Sequence, residues 1–406
     1  MRVCMVTYSL YESDHRVMRY AESLAARGEE VEVIALRKAG KPREEVIAGV
    51  RVFRIQSRSF NEKKKTSFLK GVSQFILKAW LMVSARHLRK RYDLLHIHSI
   101  PDFVVFTGLL PKLMGAKIIL DIHDILPELY ESKFGVSRDS MGFKTMLFLE
   151  KISTAFADHV IIANHIWQDR LVKRCLSGQK CTVLLNYPDE AIFRPLPRDR
   201  KTGEFIMLYP GTLNQHQGLD IAIRAFALIK DKAPHAVFHI HGEGRTQDSL
   251  VQLVGELNLQ DRVLFKPMLP IREIAKVMAN ADLAVVPKKS DSFGNEAFST
   301  KILEFMSVGI PVTVSNTKID QYYFNDSVVQ FFNGGDPEDL ARSMLTLIND
   351  PQRRQSMSKN ALQFVKAYNW NANKGTYLQL VDSLVDGSKV QPRGTLIEKP
   401  NCGGAQ

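Results

Sequence analysis

The sequence has few cysteines and no apolar run long enough to cross a bilayer. Its 406 residues include four cysteines, none of them in a C-x-x-C pair. Neither a disulfide framework nor a structural zinc site is therefore expected, and a reducing cytosol is favoured. The longest apolar stretch, 71–85, is interrupted by Gln74 and Lys78 and falls short of the ~20 residues that a membrane-spanning helix needs. We expect a cytoplasmic protein without a membrane span.

Acidic residues are outnumbered by basic ones. Lys and Arg total 55 against 43 Asp and Glu, which gives a net charge of +12. An anionic partner is therefore expected: a nucleotide, a nucleic acid or an acidic membrane surface. Nucleic acid is disfavoured because no aromatic platform or recognition-helix motif accompanies the charge. A 45% hydrophobic and 24% charged composition is typical of a globular chain, here long enough for two or three domains.

Short β-branched runs alternate with helical patterns through both halves of the chain. Strands are predicted at 3–8, 31–36, 94–98, 117–122, 160–163 and 183–185, and again at 205–209, 237–240, 263–265, 283–286, 312–314 and 328–331. Strands that are apolar on both faces and separated by helices form parallel sheets covered on both sides. The sequence therefore predicts an α/β protein with two doubly wound, Rossmann-like domains. Because such sheets bind ligands beyond the carboxyl ends of their strands, we expect the site in an interdomain cleft.

Proline and charge mark the connection between the two halves. The segment 186–201 contains Pro188, Pro195 and Pro197 among charged residues, a composition typical of an exposed connector. The predicted organisation follows from this connector and from the loss of periodicity near the end of the chain. It comprises an N-terminal Rossmann-like domain 1–190, a linker 191–201, a C-terminal Rossmann-like domain 202–370, a C-terminal helix 371–385 and a disordered tail 386–406.

The strongest chemical signal lies in 293–312, after a predicted strand. A glycine-containing loop leads there into a helix that begins near Thr300, with Ser299 or Thr300 as its N-cap. The amides of the first turn would make an anion site suited to a diphosphate. Glu304, about a turn inside, could accept two hydrogen bonds from a ribose diol, and Glu296 could reach a sugar hydroxyl. The alternative is that both glutamates are solvated, but a carboxylate beside a helix start needs polar partners.

Glu296 and Glu304 are separated by seven residues and followed by Gly309 and Pro311. This pattern resembles the E-x7-E signature of retaining, nucleotide-sugar-dependent glycosyltransferases of the GT-B fold, family 4. The resemblance covers most of the chain. Further matching segments are Asn186 with Phe193 and Pro195, then 209–213, 218–220 and 241–244.

The resemblance implies that the N-terminal domain lies on the acceptor side, that the C-terminal domain binds the nucleotide sugar, and that the helix 371–385 crosses back to the N-terminal domain. It also implies roles for individual residues. Glu304 would hold the ribose, Glu296 a hydroxyl of the donor sugar, and amides around Lys301 the phosphates. His123, just after the strand 117–122, would lie near the donor sugar. The other residues implied at the nucleotide-sugar site are Gly211, Thr212, Gln217, Gly242, Gly244, Arg245, Ser299 and Thr300. Asp121 and Asp124 could be mistaken for a metal-binding pair, but the family is metal-independent, so neither a metal nor another cofactor is expected.

Two loops depart from the family pattern. Thr212 and Gln217 stand where the family often has an arginine and a lysine that neutralise the leaving diphosphate, so another cation has to replace them. Lys301 is the first candidate, ahead of the other candidates Lys288, Lys289 and Arg245. The first-domain loop 8–16 lacks a glycine pair. Its Asp14, His15 and Arg16 are expected to meet acceptor or donor through their side chains.

The segment 63–91 combines basic ends with an apolar stripe. Lys63, Lys64 and Lys65 precede it and Arg86, Arg89, Lys90 and Arg91 end it, with Phe68, Leu69, Val72, Phe75, Ile76, Ala79, Met82 and Val83 at helical spacing between them. Such a helix can lie on an anionic membrane. The alternative is a helix whose stripe packs on the sheet, and both can hold if the basic ends face outward.

We therefore predict a retaining glycosyltransferase that moves a hexose-type or N-acetylhexosaminyl residue from a nucleoside-diphosphate sugar, with UDP as the expected nucleotide. The expected acceptor is a lipid-linked sugar or a surface polysaccharide precursor, and a peripheral position on the inner face of the plasma membrane would suit it. Two alternatives remain open. One is a GT-B-fold sugar-nucleotide epimerase, and the other is a non-catalytic nucleotide-sugar-binding protein.

Overall fold

The computed structural model describes residues 1–57, 65–99, 101–198 and 203–387, which form two compact units. The first unit comprises Met1–Asn186 and the described residues from Lys374 onward, and the second comprises Tyr187–Asn373. Three features predicted above lie outside the described residues: Lys63 and Lys64, the end of the linker at 199–201 with the first residue of the next domain, and the tail from 388 onward.

The first unit is built on an eight-stranded sheet in the order β3-β4-β2-β1-β5-β6-β7-β8. Its strands are β1 (Arg2–Leu10), β2 (Glu30–Arg37), β3 (Glu44–Ile47), β4 (Val50–Ser57), β5 (Leu94–His98), β6 (Lys117–Ile122), β7 (His159–Ile162) and β8 (Cys181–Val183). All neighbours are parallel except β3 and β4. The central strands are buried on both faces, as expected for a sheet covered by helices.

Six helices of the first unit follow its strands. They are α1 (His15–Ala26), α2 (Lys65–Arg89), α3 (Leu109–Leu113), α4 (Leu126–Phe134), α5 (Met141–Phe156) and α6 (His165–Arg174). The α1 helix starts where the Asp14 side chain accepts a hydrogen bond from the Val17 backbone N–H, which is an N-cap. Its apolar side, with Val17, Tyr20 and Leu24, is buried.

The antiparallel hairpin β3–β4 is an element that the sequence reasoning missed. Its two-residue turn has positive φ at both Ala48 (50°) and Gly49 (81°), the combination that a type I′ turn requires. Alanine is unusual at such a position, and β3 is half-exposed at the edge of the sheet. The sequence therefore contains neither a standard turn dipeptide nor an apolar run from which the hairpin could be predicted.

The second unit carries a six-stranded, wholly parallel sheet in the order β11-β10-β9-β12-β13-β14. Its strands are β9 (Phe205–Pro210), β10 (Ala236–His241), β11 (Val263–Lys266), β12 (Leu283–Val286), β13 (Val312–Ser315) and β14 (Gln330–Phe332). Its helices are α7 (Leu219–Ile229), α8 (Gln247–Glu256), α9 (Ile271–Ala279), α10 (Thr300–Ser307), α11 (Lys318–Tyr323), α12 (Pro337–Asn349) and α13 (Pro351–Phe364). The last helix, α14 (Trp370–Val385), belongs to the first unit from Lys374.

Both sheets are doubly wound, which confirms the predicted α/β architecture with two Rossmann-like domains. Every strand predicted from the sequence overlaps an observed one. The winding direction reverses between β1 and β5 in the first sheet and between β9 and β12 in the second. In open α/β sheets, ligands bind at the carboxyl ends of the strands beside such a reversal. The loops that follow β1, β5, β6, β9, β10 and β12 are therefore the places to seek a site.

Glycines allow two of these loops to pack backbone against backbone. The Gly211 N–H donates to the His241 carbonyl oxygen (2.8 Å) and the Leu213 N–H to the Glu243 carbonyl oxygen (3.0 Å). A Cβ atom at Gly242, where φ is +153°, would lie 1.8 Å from the Gly211 carbonyl oxygen. No side chain fits at that distance, so the contact requires glycine.

Gly242→Ala is therefore expected to lower the free energy of unfolding, on the order of 2–4 kcal/mol, because it combines a backbone clash with strained φ. Urea denaturation measures this change. Gly255→Ala is the matched control: it lies within α8 with no atom nearer than 3.9 Å to the added Cβ, and alanine in a helix is stabilising by about 0.5–1 kcal/mol. Equal effects of the two substitutions would contradict the packing argument.

Candidate functional site

The start of α10 in the second unit carries a buried polar group without a partner. The helix begins at Thr300, as predicted, and Ser299 occupies the N-cap position. The Ser299 side chain makes no capping hydrogen bond, and its buried hydroxyl has no hydrogen-bond partner among the described residues. Buried polar groups are nearly always paired in folded proteins. Together with the amides of the first turn, this hydroxyl can hold an anion.

Lys301 brings a cation to the same helix start. Its ammonium nitrogen lies 5.3 Å from the centre of the Tyr209 ring. A Cβ atom at Gly211 would lie 2.4 Å from Lys301 Cε, so the lysine chain rests against that glycine. In the described part of the chain, Lys301 has no hydrogen-bond acceptor and no ion-pair partner. Burial lowers its pKa to about 8, with Glu304 acting in the opposite direction, so the lysine is charged at neutral pH.

The other candidate cations are placed differently. Lys288 is buried, donates to the Ala297 carbonyl oxygen (2.6 Å) and pairs with Asp320 (Nζ–Oδ2 3.1 Å). Lys289 pairs with Asp220 at 2.9 Å. Arg245 is exposed. Of the four candidates, Lys301 is therefore the one that combines partial burial with the absence of a direct ion pair among the described residues.

The two glutamates of the E-x7-E pattern stand in different environments. Glu296 is buried in the loop after β12 and pairs with Lys318 (Oε1–Nζ 3.3 Å). Glu304 lies in α10, half-buried, and its charge acts to raise the pKa of Lys301. Sequence reasoning missed Lys318 because it lies on α11, beyond a further strand, where no local pattern connects it to Glu296.

The loop after β9 contains the residues that depart from the family pattern. The Tyr209 hydroxyl donates to the Thr212 carbonyl oxygen (3.0 Å). Gln217 ends a short 3-10 turn and its amide nitrogen lies 3.1 Å from His216 Nε2. The structure thus brings Gly211, Lys301 and the Tyr209 ring together, whereas the loop after β10 adds Gly242 and Gly244 through backbone contacts.

The first unit carries a separate polar cluster centred on the fully buried Asp121. Arg16 donates to both carboxylate oxygens at 2.8 Å. His98 Nδ1 and His123 Nε2 approach Asp121 Oδ2 at 3.2 and 3.1 Å. His98 and Asp121 are register partners at the ends of the neighbouring strands β5 and β6. The sheet itself therefore places them side by side.

The electrostatics of this cluster favour ionised Asp121 and His123. Burial acts to raise the pKa of Asp121, but Arg16 and His123 outweigh it and hold the pKa well below the ordinary value. Burial likewise acts to lower the pKa of His123, but Asp121 and Asp14 outweigh it and the pKa is raised. The His123 side chain is 21% exposed, so this residue can present a polar group to a ligand.

Three residues of the loop after β1 were predicted to contact a ligand, and two of them instead make their contacts within the first unit. Arg16 is buried, and besides Asp121 it donates to the Leu184 carbonyl oxygen (2.8 Å). Its guanidinium is therefore engaged within the unit instead of facing a ligand. Asp14 caps α1 and accepts a hydrogen bond from the Ser9 hydroxyl (2.8 Å). His15 is half-buried at the first position of α1.

Three side chains of the cluster have ligand atoms close enough for a metal ion. One ligand atom each of His96, His98 and Asp121 lie within 4.8 Å of one another. The Arg16 guanidinium, however, takes both oxygens of the carboxylate. A second cation would have to displace a bidentate, charge-assisted hydrogen bond. The donor set therefore suits an internal ion pair better than a metal ion.

Two family models match the chain, one in each unit. The model described as "Glycosyl transferase 4-like domain" matches residues 13–186, and the model described as "Glycosyl transferases group 1" matches residues 195–364. The second match includes the loops after β9, β10 and β12 and the whole of α10.

Similar proteins support the same family. The D-inositol 3-phosphate glycosyltransferase of Thermomonospora curvata is 26% identical, over 94% of this chain and 92% of that protein. The uncharacterized glycosyltransferase YqgM of Bacillus subtilis is 24% identical, over 74% of this chain and 80% of that protein.

Solved structures share the two-unit fold. Sucrose-phosphate synthase from Thermosynechococcus elongatus is 20% identical with a TM-score of 0.79, over 96% of this chain and all (100%) of that one. HepE from Anabaena, solved in complex with UDP and glucose, is 18% identical with a TM-score of 0.71, over 95% of this chain and 100% of that one.

Arg16→Ala is expected to lower the free energy of unfolding by about 3–5 kcal/mol, because it leaves the buried Asp121 charge without its partner. Chemical denaturation at pH 7 measures this change. The matched control is Arg138→Ala, which removes an exposed bidentate pair with Glu131 in the same unit and should cost less than 1 kcal/mol. A cost for Arg16→Ala as small as the control's would show that the pair does not anchor the cluster.

Proposed function

The chain belongs to the GT-B glycosyltransferases of family 4, and from that premise we propose that it transfers a hexose-type sugar from a nucleoside-diphosphate sugar to an acceptor hydroxyl, with retention of the anomeric configuration. The observation that carries the proposal is the start of α10, where the buried Ser299 hydroxyl has no hydrogen-bond partner among the described residues and the partly buried Lys301 ammonium lies against Gly211 and the Tyr209 ring. A diphosphate offers both groups what they lack: negative charge and hydrogen-bond acceptors.

Each polar group of the second unit then has a role in the proposal. Lys301 offsets the charge that develops on the leaving diphosphate, in place of the cations absent at Thr212 and Gln217. Glu304 binds the ribose and Glu296 a hydroxyl of the donor sugar. The nucleotide contacts the backbone of the remaining residues of the predicted site, which are Gly211, Gly242, Gly244, Arg245, Ser299 and Thr300. The acceptor hydroxyl bonds to the anomeric carbon from the face that the diphosphate leaves, so retention needs no protein nucleophile, and a donor phosphate oxygen takes the acceptor proton.

In the first unit, the residue with a proposed role at the donor sugar is His123. Its ring is fixed by Asp121 at 3.1 Å and is partly exposed. We assign it to positioning the donor sugar, and we place His15, next to the capping residue Asp14, on the acceptor side of the loop after β1. Under this proposal Arg16 acts indirectly, because it orients Asp121, which orients His123.

UDP is the proposed nucleotide. HepE, which shares the fold, has been solved with UDP-glucose, and the family uses UDP-sugars widely. The proposal needs neither a metal nor another cofactor, since a lysine and a helix start can supply the positive charge at the diphosphate.

The donor proposal is tested by titrating UDP-glucose, UDP-galactose and UDP-N-acetylglucosamine into the wild-type protein and Lys301 variants by calorimetry. We expect one of these UDP-sugars to bind the wild-type protein. Lys301→Ala should weaken that binding about 10- to 100-fold, which is the loss of affinity expected when a hydrogen bond to a charged group is removed. Because free Lys301 loses its proton above pH 8, wild-type affinity should fall about tenfold between pH 7 and pH 9. Lys301→Arg stays charged, so its affinity should be flat over that range.

Transfer is then assayed with the donor that binds and a bacterial lipid extract. A sugar-bearing lipid with the donor's anomeric configuration supports the proposal. A sugar altered without any acceptor would indicate an epimerase instead, and binding without turnover would indicate a non-catalytic protein. Binding that is independent of Lys301 and of pH would contradict the role of α10.

A lipid-linked acceptor is proposed from the surface of α2. Part of its predicted stripe packs inward: Val72, Phe75, Ala79 and Val83 are buried, whereas Leu69, which was predicted in the same stripe, is exposed. A second stripe is exposed, with Leu69, Leu77, Trp80, Leu81 and Leu88 between 37% and 64% accessible, and the adjoining α3 exposes Leu113 at 77%. Exposed apolar stripes rimmed by basic residues such as Lys70, Lys78, Arg89, Lys90 and Arg91 are typical of helices that rest on anionic membranes.

None of the helices described is long and apolar enough to cross a bilayer. From the exposed stripe and its basic rim we propose a peripheral position on the cytoplasmic side, where this surface would meet a lipid-linked sugar or a surface polysaccharide precursor. Both stripes of α2 can hold their roles at once, because one packs within the unit and the other faces solvent.

Replacing Leu77 and Leu81 by glutamate is expected to reduce flotation with vesicles of phosphatidylglycerol and phosphatidylcholine at least fivefold, because it removes apolar area and adds repulsion. Leu228→Glu, at an equally exposed position of α7 (49%), is the control and should float like wild type. Raising the salt concentration should weaken wild-type flotation. Flotation that is unaffected by the double substitution would exclude α2 as the membrane contact.

A further inference from the structure

The loop after β12 is joined to the start of α11 by several independent contacts. Asn295 accepts hydrogen bonds from two backbone N–H groups, that of Lys318 on its side-chain oxygen (2.8 Å) and that of Ile319 on its carbonyl oxygen (3.0 Å). The buried Lys288 ammonium bridges the same two segments, because it contacts both the Ala297 carbonyl oxygen and Asp320. These contacts fix the backbone on both sides of Glu296.

Within this frame, Lys318 and Glu296 form an ion pair between an exposed and a buried side chain. The Lys318 side chain is 60% exposed and that of Glu296 is 8% exposed, with Nζ and Oε1 3.3 Å apart. An ammonium has three N–H donors, and Glu296 Oε1 accepts one of those of Lys318. An exposed ammonium held by its backbone can offer its other donors to a ligand that reaches the carboxylate.

From this arrangement we infer that Lys318 is a positioning and specificity-determining residue for the donor sugar. It orients the Glu296 carboxylate and donates to a sugar hydroxyl next to the one that Glu296 accepts from. A carboxylate and an ammonium side by side match a vicinal diol, in which one hydroxyl donates and its neighbour accepts. The inference rests on the proposed role of Glu296 at the donor sugar.

The inference assigns Lys318 to the sugar and not to the nucleotide. The diphosphate role belongs to Lys301 on α10, whereas the side chain of Lys318 touches the loop carboxylate. Removing Lys318 should therefore weaken the contribution of the sugar to binding while leaving the affinity for the nucleotide alone unchanged. A merely structural role would affect both ligands alike, since a loosened loop carries the whole site with it.

The test uses calorimetry to measure the affinities of two ligands for wild type, Lys318→Met and Lys318→Arg. The first ligand is UDP, and the second is whichever of UDP-glucose, UDP-galactose and UDP-N-acetylglucosamine binds wild type most tightly. Methionine keeps the chain length without the charge. We expect Lys318→Met to weaken UDP-sugar binding about tenfold and to leave UDP binding within twofold. Lys318→Arg should restore most of the loss, because it keeps a charged donor.

The matched control is Arg342→Ala, which removes another ion pair of the second unit, to Asp339 at 2.9 Å, with the arginine 66% exposed. It should change neither affinity. Equal losses for UDP and UDP-sugar in Lys318→Met, or no loss at all, would overturn the inference while leaving the donor site intact. If wild type binds neither UDP nor a UDP-sugar, the proposed function itself fails, and the inference fails with it.

Discussion

Both candidate sites depend on a constraint of open parallel sheets: at one point in each sheet the winding reverses, and the chain connections on either side lead away from each other. The reversal lies between β1 and β5 in the first unit and between β9 and β12 in the second. No crossover helix covers the carboxyl ends of the strands there, so loop backbone and polar side chains can gather without being sealed by an apolar layer. The register of β5 and β6 then pairs His98 with Asp121, and the loops after β9 and β10 stack through glycine.

Buried charges are stabilised in different ways in the two units. In the first, the buried Asp121 receives a bidentate arginine and two histidines, so the attraction offsets desolvation within the protein. In the second, Lys288 is likewise paired with Asp320, whereas Lys301 lies against an aromatic ring and a glycine, with Glu304 near enough to act on its pKa. The internally paired charges hold the fold together, and under the proposed function Lys301 is the charge that meets a ligand.

The sequence predicted those features whose causes are local. The strands at 94–98, 117–122 and 283–286 were located to the residue, because runs apolar on both faces have few alternatives to a buried parallel strand. The start of α10 followed in the same way from a loop glycine and a capping residue. The edge hairpin β3–β4 was missed because its side chains are half-exposed and its turn uses Ala48. The pairing of Arg16 with Asp121, 105 residues apart, and that of Lys318 with Glu296 depend on tertiary packing, which no local pattern encodes.

The proposed cation for the diphosphate, Lys301, lies on a helix, and this has a physical consequence that a cation in a loop would not share. Burial lowers the pKa of Lys301 to about 8; Glu304 acts to raise it and Lys288 to lower it further. The positive end of the helix dipole also disfavours a lysine in the first turn. Gly211 is part of the same arrangement, since any larger residue would meet the lysine chain. The free protein thus holds its cation in an unfavourable environment that an anion would relieve. Under the proposed function, that relief favours the state in which the leaving group carries its greatest negative charge, which is the state a transferase has to stabilise.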